Sequence, residues 1–147
     1  LWVIDKLSEL IGWHMRALVP LGKTLTDDSR CHLVHADFFE FARVGSKLLA
    51  TSEPTRTFDA ILLDIDHSPT HWLTASNSSL YSVEGLTQMA THIRPEGVFA
   101  LWSNDPPSQP FVERLEGIFA TVATHVVSFP NPYTNDETAC TVYVTTR

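Results

Sequence analysis

Three aspartates follow short apolar runs: Asp5 after Trp2-Val3-Ile4, Asp37 after Leu33-Val34-His35-Ala36, and Asp64 after Ala60-Ile61-Leu62-Leu63. Each run reads as a β-strand. In an open parallel sheet the ligand crevice lies beyond the carboxyl ends of the strands, so the three carboxylates are expected to face one site. An acid at the end of the second strand of a nucleotide-binding fold can accept both ribose hydroxyl hydrogens, which makes Asp5 the candidate ribose ligand. Asp37 is placed to take the adenine amino group, although an aspartate just before Phe38 is equally suited to cap a helix that starts there.

Asp64 and Asp66 form a pair of carboxylates at the start of a loop, followed by His67. Like charges close together raise one pKa, and a carboxylate facing an ammonium can anchor it or take its proton. The competing reading makes Asp66 and His67 solvated loop residues. Tyr81 stands just before another helical stretch, where its ring can wall a substrate pocket or staple the helix entry. Trp102-Ser103-Asn104-Asp105 ends the next strand on the same expected side.

The elements that position these residues follow from periodicity. After the first strand, Leu7, Leu10, Ile11, His14, Met15 and Leu18 recur at helical spacing, and Pro20, Gly22 and the polar stretch Thr24 to Arg30 then break the pattern. Cys31 to His35 is a second strand, with a short helix from Phe38 to about Leu49. A polar loop, Thr51 to Thr57, leads into Phe58 to Leu63, whose nearly unbroken apolar run predicts a strand buried on both faces. Ile65 to Ser82 is too long for an ordinary connection and reads as a functional loop or lid.

Leu86, Met89, Ala90 and Ile93 mark the inner face of the next helix, which Arg94-Pro95-Glu96-Gly97 should close ahead of a strand from Val98 to Trp102. Ser108 can cap a helix that carries Pro110 in its first turn. Two final strands, near Ala120 to Phe129 and Ala139 to Thr145, should form a hairpin. The order predicts an α/β domain with parallel middle strands, right-handed crossovers and an antiparallel final pair.

With 147 residues, 44% of them hydrophobic, the chain suits a single domain spanning residues 1–147. A formal net charge of −7 offers no basic face for a phosphate backbone, so nucleic acid is not the expected partner. No apolar run approaches a membrane span of roughly 20 residues, and the start of the chain lacks the pattern of a secretory signal, so the expected location is cytoplasmic. Cys31 and Cys140 read as free thiols, and the seven histidines show no metal-ligand spacing, so no metal is expected.

Ala60 to Asp66, Asn77 to Ser82, Gly85-Leu86, Ile93 to Val98 and Leu101-Trp102-Ser103 resemble, in order and spacing, the spermidine synthase-like proteins. These belong among the polyamine aminopropyltransferases and class I S-adenosylmethionine-dependent methyltransferases. Trp2 to Asp5 and His35-Ala36-Asp37 match the family's two earlier acidic strand ends.

The resemblance implies a Rossmann-like class I methyltransferase fold and aminopropyl transfer from decarboxylated S-adenosylmethionine to a diamine such as putrescine. Asp5, Asp37, Phe38 and Asp64 would contact the nucleoside co-substrate. Asp64 would also be the catalytic group as base or anchor, with Asp66 and Tyr81 at the amine. The implied partners are a small-molecule amine and, in a homodimer, a second copy of the chain.

The family's loop carries a second aspartate three positions after the catalytic one, followed by Pro and Gly. Here the order is Asp64-Ile65-Asp66-His67-Ser68-Pro69, which implies a different amine site. The family's first strand and G-x-G-x-G-type loop would lie ahead of Leu1, and the six glycines present form no such cluster, so the domain is expected to be N-terminally incomplete. Two further readings remain open: a methyltransferase of unknown acceptor, and a non-catalytic domain of the same fold.

Overall fold

The computed structural model describes residues 1–49, 56–133 and 136–147. Thr51–Thr55 of the expected polar loop and Thr134–Asn135 of the expected hairpin turn lie outside the described residues. The chain divides into two compact units, Leu1–Thr55 and Arg56–Arg147.

In the first unit β1 (Trp2–Asp5) and β2 (His32–His35) pair in parallel, with Trp2 opposite His32 and Asp5 opposite His35. Between them lie α1 (Ser8–Met15) and α2 (Gly22–Asp27), and α3 (Phe38–Val44) follows β2. The predicted break at Gly22 is instead the start of α2. A Cβ at Gly22 would lie 2.8 Å from the His14 carbonyl oxygen, so glycine is required here for close packing on α1. The Lys23–Asp27 pair at 2.7 Å and the bond from Thr26 Oγ1 to the Gly22 carbonyl at 3.1 Å then support the short helix. Helix α1 stops before Leu18, because Ala17 takes a left-handed φ of 54°.

The second unit is a four-stranded sheet in the order β3-β4-β6-β5, formed by β3 (Phe58–Leu63), β4 (Ile93–Ser103), β5 (Thr121–Pro130) and β6 (Glu137–Thr146). β3 and β4 are parallel, with Leu63 opposite Leu101, so both chains leave the sheet at the same edge. β6 runs antiparallel to both β4 and β5, which places the last strand inside the sheet and leaves β5 at its rim. Helices α4 (Val83–Ala90) and α5 (Gln109–Glu116) supply Leu86, Met89, Phe111 and Leu115 to the core, where they join Phe99, Leu101 and Tyr143 of the sheet. Each such side chain removed from water contributes about 1.5–3 kcal/mol. The Phe99 and Phe119 rings stack at 5.9 Å, and Phe111 meets Tyr143 edge-on at 5.1 Å. Among the described residues no helix is long and apolar enough to cross a membrane.

Two expectations are corrected in this unit. β3 is buried on one face only: Ile61 and Leu63 are inside, while Leu62 on the other face is 75% exposed. Its side chains alternate as any strand's must, and the apolar composition of both faces concealed that alternation. Arg94-Pro95-Glu96-Gly97 does not precede β4 but lies within it as an irregular bulge. The pairing register jumps from Phe58 opposite Ile93 to Ala60 opposite Val98. Glu96 takes a φ of 64°, its N–H donates to the Arg147 carbonyl at 2.9 Å, and the Arg147 N–H donates to the Gly97 carbonyl at 3.0 Å.

Gly97 sits where this bulge folds back on β3. A Cβ there would come 2.5 Å from Ile93 Cγ2, 2.9 Å from the Arg94 carbonyl oxygen and 3.0 Å from the Asp59 carbonyl oxygen. Gly97→Ala should therefore lower unfolding free energy by about 1–3 kcal/mol, read as an earlier urea midpoint at unchanged slope. An unchanged midpoint would show that the bulge tolerates a side chain.

Candidate active site

The first unit brings two of the sequence-predicted acids to one edge. Asp5 is the last residue of β1, and the Ala36 N–H donates to the Asp5 carbonyl at 3.1 Å, so the chain leaving β2 passes beside it on the way to Asp37. Asp5 Oδ1 accepts the Leu7 N–H at 2.7 Å, which fixes the carboxylate in the turn that starts α1. Asp37 does cap α3: its Oδ1 accepts the Phe39 N–H at 2.8 Å, and its Oδ2 accepts from Lys6 Nζ at 2.8 Å. The hydrogen bond from Lys6, aided by the Phe39 N–H, holds the Asp37 carboxyl below the ordinary carboxylate range. Phe38, the first residue of α3, is half-buried, with its ring 5.6 Å from that of Phe41. Capping and ligand binding were alternatives for Asp37 in the sequence. The structure realises the cap and adds a lysine clamp that only the adjacency of Asp5 and Lys6 could have suggested.

In the second unit Asp64 is exposed directly after β3, whereas Asp66 is 6% exposed and surrounded by donors. Asp66 Oδ1 accepts the Leu73 N–H at 2.7 Å and the Asn77 side-chain amide at 2.9 Å, and Oδ2 accepts the Tyr81 hydroxyl at 2.8 Å. A buried charge is tolerable only when answered in this way. Asp66 is thus not a solvated loop residue. It holds together the long connection, which includes a 3₁₀ helix over Ala75–Tyr81. Tyr81 is 3% exposed, and burial, followed by its bond to Asp66 and that residue's charge, pushes its phenol far above the usual range. Its carbonyl accepts from Arg114 Nη1 of α5 at 2.7 Å, so the residue is held at both ends. Ser82 caps α4 by accepting the Gly85 N–H at 3.1 Å, and a Cβ on Gly85 would strike the Leu80 carbonyl oxygen at 2.7 Å.

Sequence reasoning missed a second cluster at the same edge. His71 Nδ1 lies 2.7 Å from Asp105 Oδ2 and 3.3 Å from Ser68 Oγ. Ser68 is 1% exposed, and its hydroxyl oxygen accepts the N–H groups of Thr70 at 3.2 Å and His71 at 3.1 Å. Asp105 was legible as a strand-end acid after β4. His71 was one histidine among seven, and nothing in its spacing pointed to Asp105. No group of three or more metal-ligating side chains comes together among the described residues.

Parallel strands that end in acids, together with the antiparallel β6 between β4 and β5, define an open-sheet Rossmann-like methyltransferase fold. No family model and no curated protein matches the sequence. Among solved structures, the chain is similar to the spermidine synthase of Thermotoga maritima, with a TM-score of 0.67 and 15% identity over 99% of this chain and 44% of that one. A spermidine synthase in complex with the transition state analogue AdoDATO matches with a TM-score of 0.65 and 15% identity, over 99% of this chain and 43% of that one. NodS, an N-methyltransferase from Bradyrhizobium japonicum WM9, matches with a TM-score of 0.59 and 14% identity, over 100% of this chain and 72% of that one. The chain therefore spans less than half the length of the spermidine synthases it matches. At these identities the likeness establishes the fold.

Tyr81→Phe removes one of three donors from the buried Asp66 carboxylate and should cost about 1.5–3 kcal/mol of stability, measured by urea unfolding. A loss below about 0.5 kcal/mol would mean that the Tyr81–Asp66 bond does not organise the loop.

Proposed function

We propose that the protein transfers a group from an S-adenosyl-type sulfonium nucleoside to an amine, and that the transferred group is aminopropyl, from decarboxylated S-adenosylmethionine to a diamine such as putrescine. What supports this reading is that an aspartate ends or closely follows each of the parallel strands β1 and β2 in the first unit, and β3 in the second, together with the likeness of the fold to that of spermidine synthase. Asp5 offers its free oxygen lone pairs to the ribose hydroxyls. Asp37, with Phe38 beside it, serves the adenine, sharing its carboxylate with the α3 cap and Lys6. Asp64, exposed and next to the buried Asp66 charge, anchors the ammonium of the amine. Asp66 and Tyr81 contribute from beneath, by fixing the backbone on which Asp64 and the following turn stand.

The chemistry is a direct displacement. The amine nitrogen lone pair forms the new C–N bond to the carbon beside the sulfonium, the C–S pair returns to sulfur, and the nitrogen sheds one proton. Alignment of the two reactants supplies most of what such a step needs. Polyamine biosynthesis is the corresponding cellular role, and a diamine dication suits an acidic chain of net charge −7.

Methyl transfer to a nitrogen acceptor is the second reading. It is favoured by the match to an N-methyltransferase and by His67, which stands where the spermidine synthase-like loop has its second aspartate. Product analysis separates the two, since aminopropyl transfer leaves methylthioadenosine and methyl transfer leaves S-adenosylhomocysteine. With decarboxylated S-adenosylmethionine and putrescine we expect methylthioadenosine, and a loss of about 10²-fold or more in Asp64→Asn. Neither nucleoside product from either donor would refute the transfer reading.

A further inference from the structure

Amine transfer needs a group to receive the proton, and Asp64, once ion-paired with an ammonium, is a better anchor than base. We infer that His71, held by Asp105, is the general base that takes this proton. The inference rests on the transfer reading above and assigns it a further residue.

The geometry is that of a histidine–carboxylate pair. Asp105 Oδ2 stands 2.7 Å from His71 Nδ1, so in the neutral ring the Nδ1–H donates to the carboxylate and the lone pair is left on Nε2. The ring is largely exposed, with 69% of its side-chain surface open, so Nε2 can meet a substrate. The turn that carries it is fixed. Ser68 and His71 exchange backbone hydrogen bonds at 3.3 Å, Trp72 Nε1 donates to the Pro69 carbonyl at 2.9 Å, and the Leu73 N–H is tied to Asp66.

Asp105 is held more firmly than an ordinary surface acid. Its carbonyl accepts from Thr141 Oγ1 at 2.8 Å and Ser103 Oγ at 3.3 Å, and its N–H donates to Ser103 Oγ at 3.1 Å. Ser103 and Thr141 are both fully buried. The Asn104 N–H donates to the His67 carbonyl at 2.7 Å, joining the end of β4 to the loop that carries His71. The Ser68 hydroxyl first, then the His71 ring, and then the charges of His71 and His67 keep the Asp105 carboxyl below its ordinary range. The carboxylate thus stays charged while His71 cycles. A surface ion pair needs none of this buried support and is worth little by itself.

Both residues follow the carboxyl ends of adjacent parallel strands: His71 lies seven residues past Asp64 in the long connection after β3, and Asp105 follows β4, whose end lies beside that of β3 in the parallel register. In the reaction the amine nitrogen attacks the carbon beside the sulfonium, its proton passes to His71 Nε2, and the C–S bond electrons leave with the thioether. The imidazolium so formed is held by the Asp105 carboxylate and loses its proton to solvent. His71 is the catalytic residue here and Asp105 a positioning residue.

The test compares wild type, His71→Gln and Asp105→Asn with decarboxylated S-adenosylmethionine and putrescine, and with S-adenosylmethionine and putrescine. Donor affinity is measured separately by calorimetry. His71→Gln should lower kcat about 10²–10⁴-fold with donor affinity unchanged, flatten the loss of kcat on acidification that a base imposes, and regain rate with added imidazole. Asp105→Asn should lower kcat by a smaller factor. It should also move the neutral His71 ring away from its Nδ1–H tautomer, read in side-chain ¹H–¹⁵N spectra. Wild-type turnover matched by His71→Gln would overturn this inference and leave the transfer reading standing. Wild-type protein that binds neither donor would overturn both.

Discussion

A carboxylate taken out of water must be answered by donors, and the one at Asp66 is answered by three, from Leu73, Asn77 and Tyr81. The donors recur at every fourth residue, so one anion gathers the extended end of the loop, the start of the 3₁₀ helix and its last residue around a single point. Tyr81 then hands the constraint to α5 through Arg114 and to the core through its edge-on contact with Phe111 at 6.3 Å. A loop between two parallel strands would otherwise be free to take many paths. Here its path is set within a few residues of β3, and the exposed groups on it, Asp64 and His71, inherit a defined position.

The same constraint separates two kinds of acid that look alike in sequence. Asp64 and Asp66 stand two residues apart in an apolar-then-polar stretch, and either could be read as reactive. Burial decides between them: Asp66 spends its lone pairs on the protein, and Asp64, among the described residues, keeps its own for solvent or substrate. In the first unit the distinction is less sharp. Asp37 serves the α3 cap and Lys6 at once, so a ligand there must share a carboxylate already in use, whereas Asp5 gives one oxygen to Leu7 and, among the described residues, keeps the other.

Strand ends were legible because an apolar run stopped by Asp is a strong local signal, and β1, β2 and β3 each end where such a run predicts. Asp37 as a cap was legible for the same local reason. What escaped were features set by contacts distant in sequence. The helix α2 depends on Gly22 lying against His14. The extension of β4 through Arg94-Pro95-Glu96-Gly97 depends on the chain end pairing with the bulge. Leu62 lies in an apolar run, yet its face of β3 stays open. The His71–Asp105 pair joins residues 34 apart, and no periodicity reports such a meeting. The fold could be read from local pattern, whereas the candidate base could be read only from coordinates.

The proposed transfer requires Asp5 and the Asp37–Phe38 turn to hold the nucleoside, and the direct measurement is the backbone ¹H–¹⁵N spectrum of the protein titrated with methylthioadenosine. The largest shifts should fall at Asp5, Lys6 and Ala36 to Phe38, and Asp5→Ala should weaken binding by about tenfold or more, the loss of at least one charge-assisted hydrogen bond. Shifts confined to the hollow lined by Thr24, Leu25, Asp28 and Arg30, or no shifts in folded protein, would contradict it.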